Sequence, residues 1–128
     1  MTDFQTSLAI SSSGMQAQSH RLRLVSENIA NADTPGYRGK TAPFETALRD
    51  AAGEVRLGDV RLDQTDLERI YDPAHPLADD SGHYDGSNVD LMIQIADARE
   101  AQRSYEANLK MFDQARQMSS SLMELLRR

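Results

Sequence analysis

Apolar side chains recur at alternating spacings of four and three along the first thirty residues, and this pattern constrains the fold more than any other feature. Such spacings place side chains on one seam of an α-helix. The seam consists of Phe4, Leu8, Ser11, Met15, Gln18, Leu22, Val25 and Ile29. Thr2 with Gln5 fits a capping box, so we expect a helix over residues 1–31. A seam of this kind indicates a helix that packs against other helices.

A second long helix is predicted at the other end of the chain. No glycine or proline follows Asn88, and Ser87 with Asp90 can form a cap, so this helix should span 88–127. One seam contains Leu91, Ile95, Ala98, Gln102, Tyr105, Leu109, Phe112, Arg116, Ser119, Met123 and Leu126; a neighbouring seam contains Met111, Ala115, Met118, Leu122 and Leu125. One partner helix cannot cover two adjacent stripes. The pattern therefore favours a bundle or tube of several helices over a lone hairpin.

The end of the first helix carries a specific turn signal. Pro35 cannot continue a helix, and Pro35-Gly36 suits the two central positions of a type II turn. Asn28 and Asn31 are poor helix formers, but their amides can satisfy open backbone groups at a helix end. Tyr37 follows at once. A tight turn directly after the helix is therefore predicted.

The segment between the helices is predicted to be irregular, with a short β-hairpin. Pro43, with Phe44 and Leu48 on one face, suits a short helix over 43–51. Val55-Arg56-Leu57 and Val60-Arg61-Leu62 alternate around Gly58-Asp59, which suits a two-residue hairpin turn. The density of Pro, Gly, Asp and Ser from residue 71 to 88 indicates irregular structure.

These elements add up to one mainly α domain over residues 1–128. We expect a helix at 1–31, a turn, loop and hairpin segment at 32–87, and a helix at 88–127. The two long helices should form a coiled-coil-like hairpin.

Composition indicates a protein that depends on partners. A chain of 128 residues with 39% hydrophobic and 5% aromatic residues has little material for a core of its own. Residues 41–87 hold four basic and eleven acidic side chains, a net charge of −7, whereas both terminal segments are near neutral. Near-neutral helices can pack against copies of themselves without repulsion, and nucleic acid is a poor partner for an acidic chain.

Residues suited to chemistry are scarce, and we predict no catalytic, cofactor-binding or metal site. There is no cysteine, so a disulfide or a thiolate zinc site is excluded. The cluster Asp72, His75, Asp79, Asp80, His83 and Asp85 has metal-ligand types, but an EF-hand loop begun at Asp79 would place Tyr84 where glycine is required. No cationic start with a signal-like apolar run, and no apolar run of membrane-spanning length, occurs in the sequence.

Several stretches resemble one known family. Residues 26–38, Ser-Glu-Asn-Ile-Ala-Asn-Ala-Asp-Thr-Pro-Gly-Tyr-Arg, resemble the N-terminal signature of bacterial flagellar rod and hook proteins. Residues 71–79, 87–90 and 99–108 are similar to the proximal rod proteins within that family. Ser87 stands where the family usually has proline, and Leu91-Met92 stands where it usually has Glu-Met.

The resemblance implies a structural protein without cofactors. Its expected partners are copies of itself, other flagellar rod proteins and the membrane-ring adaptor at the rod base. Export through the flagellar type III apparatus, helical stacking across the periplasm and transmission of torque toward the hook are implied as well.

The same resemblance assigns residues to two sets. The family motif and turn comprise Asn28, Asn31, Pro35, Gly36, Tyr37, Tyr71, Asp72, Pro73, His75, Pro76 and Asn88. The expected assembly interface comprises Leu8, Met15, Leu22, Val25, Ile29, Leu91, Ile95, Tyr105, Leu109, Phe112, Met118 and Leu122. Two other classes of protein stay open at this point: a metal-dependent enzyme or sensor that uses residues 72–85, and a soluble helical adaptor that forms a closed dimer or tetramer.

Overall fold

Two long antiparallel helices form most of the molecule, for which a computed structural model describes residues 3–46 and 53–127. Helix α1 spans Asp3–Ala30 and helix α2 spans Leu91–Leu126. Arg21 in the second half of α1 lies 3.5 Å from Asp97 and Glu100 near the start of α2, and Gly14 in the first half of α1 faces Asn108 farther along α2, so the helices are antiparallel. The mainly helical fold is confirmed, while the predicted start at Thr2 lies outside the described residues.

Helix α2 begins later than predicted. Its N-cap is Asp90, whose carboxylate accepts hydrogen bonds from the amides of Met92 and Ile93. The expected cap at Ser87 or Asn88 is wrong, because both of those side chains bond to loop backbone elsewhere. A short polar side chain marks a helix start equally well at several neighbouring positions, and tertiary contacts decide among them.

The two helices approach each other through small side chains. The buried residues of α1 are Ser11, Ala17, Val25 and Asn28, and those of α2 are Ala101 and Ala115. A Cβ atom added to Gly14 would lie 2.7 Å from Oδ1 of Asn108 on the facing helix. Backbones can come this close only where side chains are small, so this contact uses little of the large apolar surface.

That packing leaves most of the large side chains in the predicted apolar stripes of α2 exposed. Relative exposure reaches 57% at Met111, 53% at Met118 and 64% at Leu125. The row that contacts α1 contains Ala101, Asn108 and Ala115, of which only Ala115 belongs to a predicted stripe. The helix pair is therefore joined along one face and apolar on another.

The described part of the middle segment, residues 31–46 and 53–90, contains three short antiparallel strand pairs. In chain order the strands are β1 Lys40–Thr41, β2 Phe44–Thr46, β3 Val55–Leu57, β4 Arg61–Leu62, β5 Arg69–Tyr71 and β6 His83–Asp85. Strand β1 pairs with β4, β2 with β3, and β5 with β6.

The predicted hairpin of residues 55–57 with 60–62 is wrong. Strand β3 pairs with β2, placing Phe44 opposite Leu57, and Leu62 of β4 lies opposite Lys40. The amide of Gly58 donates to the carbonyl of Pro43 at 2.7 Å, which extends the β2–β3 pair. Alternation along a chain predicts strands but not their partners, because pairing is settled between segments.

The short helix predicted over 43–51 is also wrong where it can be compared. Residues 44–46 are the strand β2, and residues 47–51 lie outside the described part of the chain. Helix propensity over one turn is a weak preference, and a strand partner at 55–57 overrides it.

Strands β5 and β6 form a hairpin within the stretch predicted to be irregular. Arg69 on β5 bonds Asp79 in the loop at 2.7 Å and Asp85 on β6 at 3.0 Å. The Asp79 carboxylate accepts hydrogen bonds from the Ser81 hydroxyl, which has the largest effect, and from Arg69 and the His83 amide. These bonds hold the pKa of Asp79 well below its ordinary value of 3.8. These contacts give the loop a defined shape.

Replacing Ala101, which has no exposed surface, with leucine should destabilise the helix pair. Added methylenes have no space at a contact between small residues, so the free energy of unfolding should fall by about 1–3 kcal/mol. Thermal unfolding followed by circular dichroism measures the change. Ala107→Leu, at an exposed position on the same helix, is the matched control and should leave unfolding unchanged. Equal effects in both variants would contradict the close helix contact.

Acid should loosen the β5–β6 loop. The folded pKa of Asp79 lies below its unfolded value, so the ionised carboxylate stabilises the loop above about pH 4, and this stabilisation is lost as the pH falls through the folded pKa. Hydrogen-exchange protection of the Ser81 and His83 amides should therefore decrease between about pH 4 and about pH 2. In Asp79→Asn the decrease should be absent. An identical pH profile in the variant would show that another group controls the loop.

Candidate functional site

Asn28 is the centre of the junction between α1, α2 and the middle segment. Its side chain is 1% exposed. The amide nitrogen donates to the Lys40 carbonyl at 2.9 Å and to Oε1 of Gln94 on α2 at 3.1 Å. The amide oxygen accepts from the Tyr37 hydroxyl at 2.9 Å and the Lys40 backbone N–H at 2.8 Å. Every donor and acceptor of the Asn28 side chain is thus used within the protein.

Asn88 forms a second node of the junction. Its side-chain oxygen accepts from the Gly39 amide at 2.8 Å, and its nitrogen donates to the carbonyls of Asp63 at 2.9 Å and Thr65 at 3.1 Å. The Arg38 guanidinium donates to the same two carbonyls at 3.0 and 2.9 Å. The loop of residues 63–65 is therefore fixed against the segment that precedes α2.

The turn after α1 has the predicted geometry. The Tyr37 amide donates to the Thr34 carbonyl at 3.1 Å, and Gly36 has a φ of 75°. A positive φ at the third residue together with this bond is the type II pattern, and glycine adopts it without strain. Asn31 donates to the Glu27 carbonyl at 2.9 Å and accepts from the Thr34 hydroxyl at 3.1 Å, which joins the turn to the last helical residues.

Ser87 connects the two ends of the junction. Its side chain is buried, and its hydroxyl donates a short hydrogen bond to the Ala32 carbonyl. The Asn88 amide donates to the Tyr37 carbonyl at 3.3 Å. The chain leaving α1 and the chain entering α2 are thus bonded directly to each other.

Electrostatics at the junction keep each group in its ordinary charge state. Lys40 lies 2.9 Å from Glu27, and this hydrogen bond raises the pKa of Lys40. Burial raises the pKa of Tyr37, with Lys40 opposing and Glu27 adding to the effect. The phenol therefore stays protonated near neutral pH and remains a donor to Asn28. Neither group is tuned to exchange a proton near pH 7, which general acid or base catalysis requires.

The remaining motif residues lie at a different place, in and beside the β5–β6 loop. The Tyr71 ring is tilted against His83 with centroids 5.0 Å apart, and the His75 ring stacks on Tyr84 at 3.9 Å. Asp72 accepts from the Ala74 amide at 3.2 Å at the start of the loop. Pro73 and Pro76 are exposed in the same loop. The structure thus divides the motif between a buried junction and an exposed loop.

Metal ligation finds no support in the described residues. Within 3–46 and 53–127, no group of three or more histidine, cysteine, aspartate or glutamate side chains is placed to hold an ion. Asp79, the central carboxylate of the suggested cluster, is bonded to Arg69 and Ser81. Among the same residues, no helix is long and apolar enough to cross a membrane.

The residues expected at an assembly interface differ in accessibility between the two helices. Those on α2 are exposed by 36% to 53%, except for the partly buried Phe112: Leu91, Ile95, Tyr105, Leu109, Met118 and Leu122. On α1, Leu8, Met15, Leu22 and Ile29 are partly buried and Val25 is buried. The structure does not bring the two sets together into one closed core.

Several junction residues were not among the candidate sites. These are Arg38, Gly39, Lys40 and Gln94, which contribute through backbone groups or side-chain bonds that no local pattern indicates. Gln94 is a polar residue within the otherwise apolar first turn of α2, and this could have indicated its role, because a buried amide needs hydrogen-bond partners.

Comparison with known proteins covers both ends of the chain. A family described as "Flagella basal body rod protein" matches residues 8–38, which include most of α1 and the turn. A family described as "Flagellar basal body rod FlgEFG protein C-terminal" matches residues 80–125, which include nearly all of α2. The two matches together contain Asn28, Tyr37 and Asn88.

Similar proteins span nearly the whole chain. The flagellar basal-body rod protein FlgC of Agrobacterium fabrum is 44% identical over 127 residues, 92% of this chain and 91% of the relative. FlgC of Escherichia coli O157:H7 is 33% identical and FlgC of Salmonella typhimurium 32% identical, each over 91% of this chain and 92% of the relative. The chain therefore belongs to the FlgC family of flagellar basal-body rod proteins and is a structural subunit of that rod.

Proposed function

We propose that this chain carries torque as a helically stacked subunit of the proximal rod, and that its folding is completed by assembly. The observation that supports this most directly is the outward apolar surface of α2. The helices already contact each other through small residues, so Met118 stays 53% exposed and Leu122 49% exposed. Exposed apolar surface of this extent marks a site of protein association.

The internal core is too small to stabilise the chain strongly. In the described part of the chain the buried apolar residues are Ala17, Val25, Ala101 and Ala115. Burial of apolar area contributes about 25 cal/mol per Å², and three of these four side chains are single methyl groups. Ordering the chain costs conformational entropy that this core offsets poorly. Contacts with neighbouring subunits would supply the missing stabilisation.

A groove between the start of α1 and the second half of α2 offers one place for such contacts. It has a volume of about 430 Å³, with Phe4 and Ile10 on α1 and Met111 and Met118 on α2 among its lining residues. A groove between two helices, lined by apolar side chains, fits a helix from a neighbouring subunit. Copies of this chain and other rod proteins are the partners that we assign to it.

The junction would transmit force between the helices and the middle segment. Asn28, Asn31, Pro35, Gly36 and Tyr37 would fix the angle at which the chain leaves α1, because buried polar networks that are fully bonded have one geometry. The two helices, the turn and the first strand would thus move as one mechanical unit.

Membership of the rod family supports a proposal for how the chain is delivered and where it lies. We infer export through the flagellar type III apparatus, a location in the rod where it crosses the periplasm, and contact with the membrane-ring adaptor at the rod base. The middle segment, with its net charge of −7 over residues 41–87, would lie outside the helical wall in contact with water or neighbouring proteins.

Asn28→Ala should impair motility by loosening the junction. The substitution leaves the Tyr37 hydroxyl and backbone groups of Lys40 without partners, at a cost of about 1–3 kcal/mol per buried group. Swimming in soft agar and the helix content of the purified chain measure the effect. Asn31→Ala removes only bonds at a partly buried position and should have a smaller effect. Equal motility in the two variants would argue against a central role for Asn28.

Leu122→Asp should block incorporation into rods without unfolding the free chain. A carboxylate is costly in a dry contact between subunits but costs little at a position that is 49% exposed in the single chain. Basal bodies isolated from cells that express the variant should lack it, while circular dichroism of the purified chain stays unchanged. Gln117→Asp, at an exposed polar position nearby, is the control. Normal motility of Leu122→Asp would refute the packing role of this stripe.

A further inference from the structure

The outward face at the start of α2 combines apolar and basic side chains. An open depression of about 640 Å³ is lined by Met92, Ile95, Ala96, Arg99, Glu100 and Arg103. Met92 is 75% exposed and Ile95 is 37% exposed. This basic α2 face lies apart from the Met118 and Leu122 stripe discussed above.

Both arginines of the basic α2 face lack a carboxylate partner. Within residues 3–46 and 53–127, no acidic oxygen lies within 4 Å of the Arg99 or Arg103 guanidinium, whereas Glu100 is engaged by Arg21 at 3.5 Å. The two arginines are four residues apart on one helix, so they are separated by roughly 6 Å along its axis. The face therefore presents two unneutralised cations beside two apolar side chains.

The β5–β6 loop presents a complementary set of side chains. Tyr71 is 66% exposed and Leu77 is 63% exposed. Asp72 and Asp80 are exposed, and no cation lies within 4 Å of either carboxylate among the described residues. The loop thus offers two unpaired carboxylates beside two exposed apolar side chains.

The loop is held in shape by its own bonds. Arg69 bonds Asp79, and the His75 ring nitrogen accepts from the Leu77 amide at 3.1 Å. The stacking of His75 on Tyr84 adds a further fixed contact. A surface that is already ordered loses little entropy on binding, which favours its use as a contact.

We propose that the β5–β6 loop of one copy binds the basic α2 face of a neighbouring copy. Leu77 would contact Met92 and Ile95, and Asp72 and Asp80 would pair with Arg99 and Arg103. A contact between two different surfaces of the same chain is heterologous and generates an open helical array when the rotation does not close, as a rod requires. The inference rests on the proposed function and specifies which surfaces of the chain meet in it.

Cysteine cross-linking in isolated basal bodies tests the contact, since the chain contains no cysteine. A chain carrying Leu77→Cys and Met92→Cys should give cross-linked dimers and larger species under mild oxidation, because a disulfide forms only where Cα atoms come within about 7 Å. The matched control pairs Leu77→Cys with Lys110→Cys, at an exposed position farther along α2 and outside the proposed groove, and should give no cross-linked copies.

The outcomes separate this contact from the rod function itself. If the Leu77→Cys/Met92→Cys chain is present in basal bodies but its copies are not cross-linked to each other, the proposed contact is overturned and the rod assignment stays intact. Cross-linking of the loop to another rod protein would have the same consequence. Loss of motility in Arg99→Glu/Arg103→Glu, restored when Asp72→Arg/Asp80→Arg is added to the same chain, would support the charge pairing. Failure of the four-substitution chain to regain any motility, with Arg61→Glu motile as a control, would count against it.

Discussion

The fully bonded side chain of Asn28 is the interaction on which the arrangement of this protein depends. One buried amide joins α1 to α2 through Gln94, to the first strand through Lys40, and to the turn through Tyr37. An unpaired amide at this position would be costly, so the folded state favours the arrangement in which all four bonds are made. The helix pair and the middle segment are consequently held in one relative orientation.

Close helix packing has a consequence for assembly. Small residues such as Ala101 and Gly14 let the helices meet with little apolar burial, and the large side chains of α2 remain on the surface. In a monomeric protein this arrangement would leave the large apolar side chains of α2 in contact with water, so the hydrophobic effect would contribute little to the free energy of folding. Under the proposed function that surface would be available to neighbouring subunits, which would account for a chain with so small an internal core.

Local patterns predicted some features well and others poorly. The two long helices and the turn at Pro35-Gly36 follow from heptad spacing, proline sterics and glycine freedom, all of which act within a few residues. The strand partner predicted for residues 55–57 was wrong, and the cap of α2 lies at Asp90 instead of at Ser87 or Asn88. Each of these features depends on groups distant in sequence. At the junction, Asn28 and Tyr37 were identified, whereas Gln94 and Lys40 were recognised only once their bonds were visible.

The sequence by itself determined that two long helices flank an acidic middle and that a turn closes the first helix. It also carried the motifs that place the chain in its family. Only the tertiary structure decided which helix faces meet, which strands pair, and which side chains complete the Asn28 network. The physical reason is that periodicity records which residues share a face, while the choice between a seam of small residues and a seam of large ones depends on fit between two surfaces.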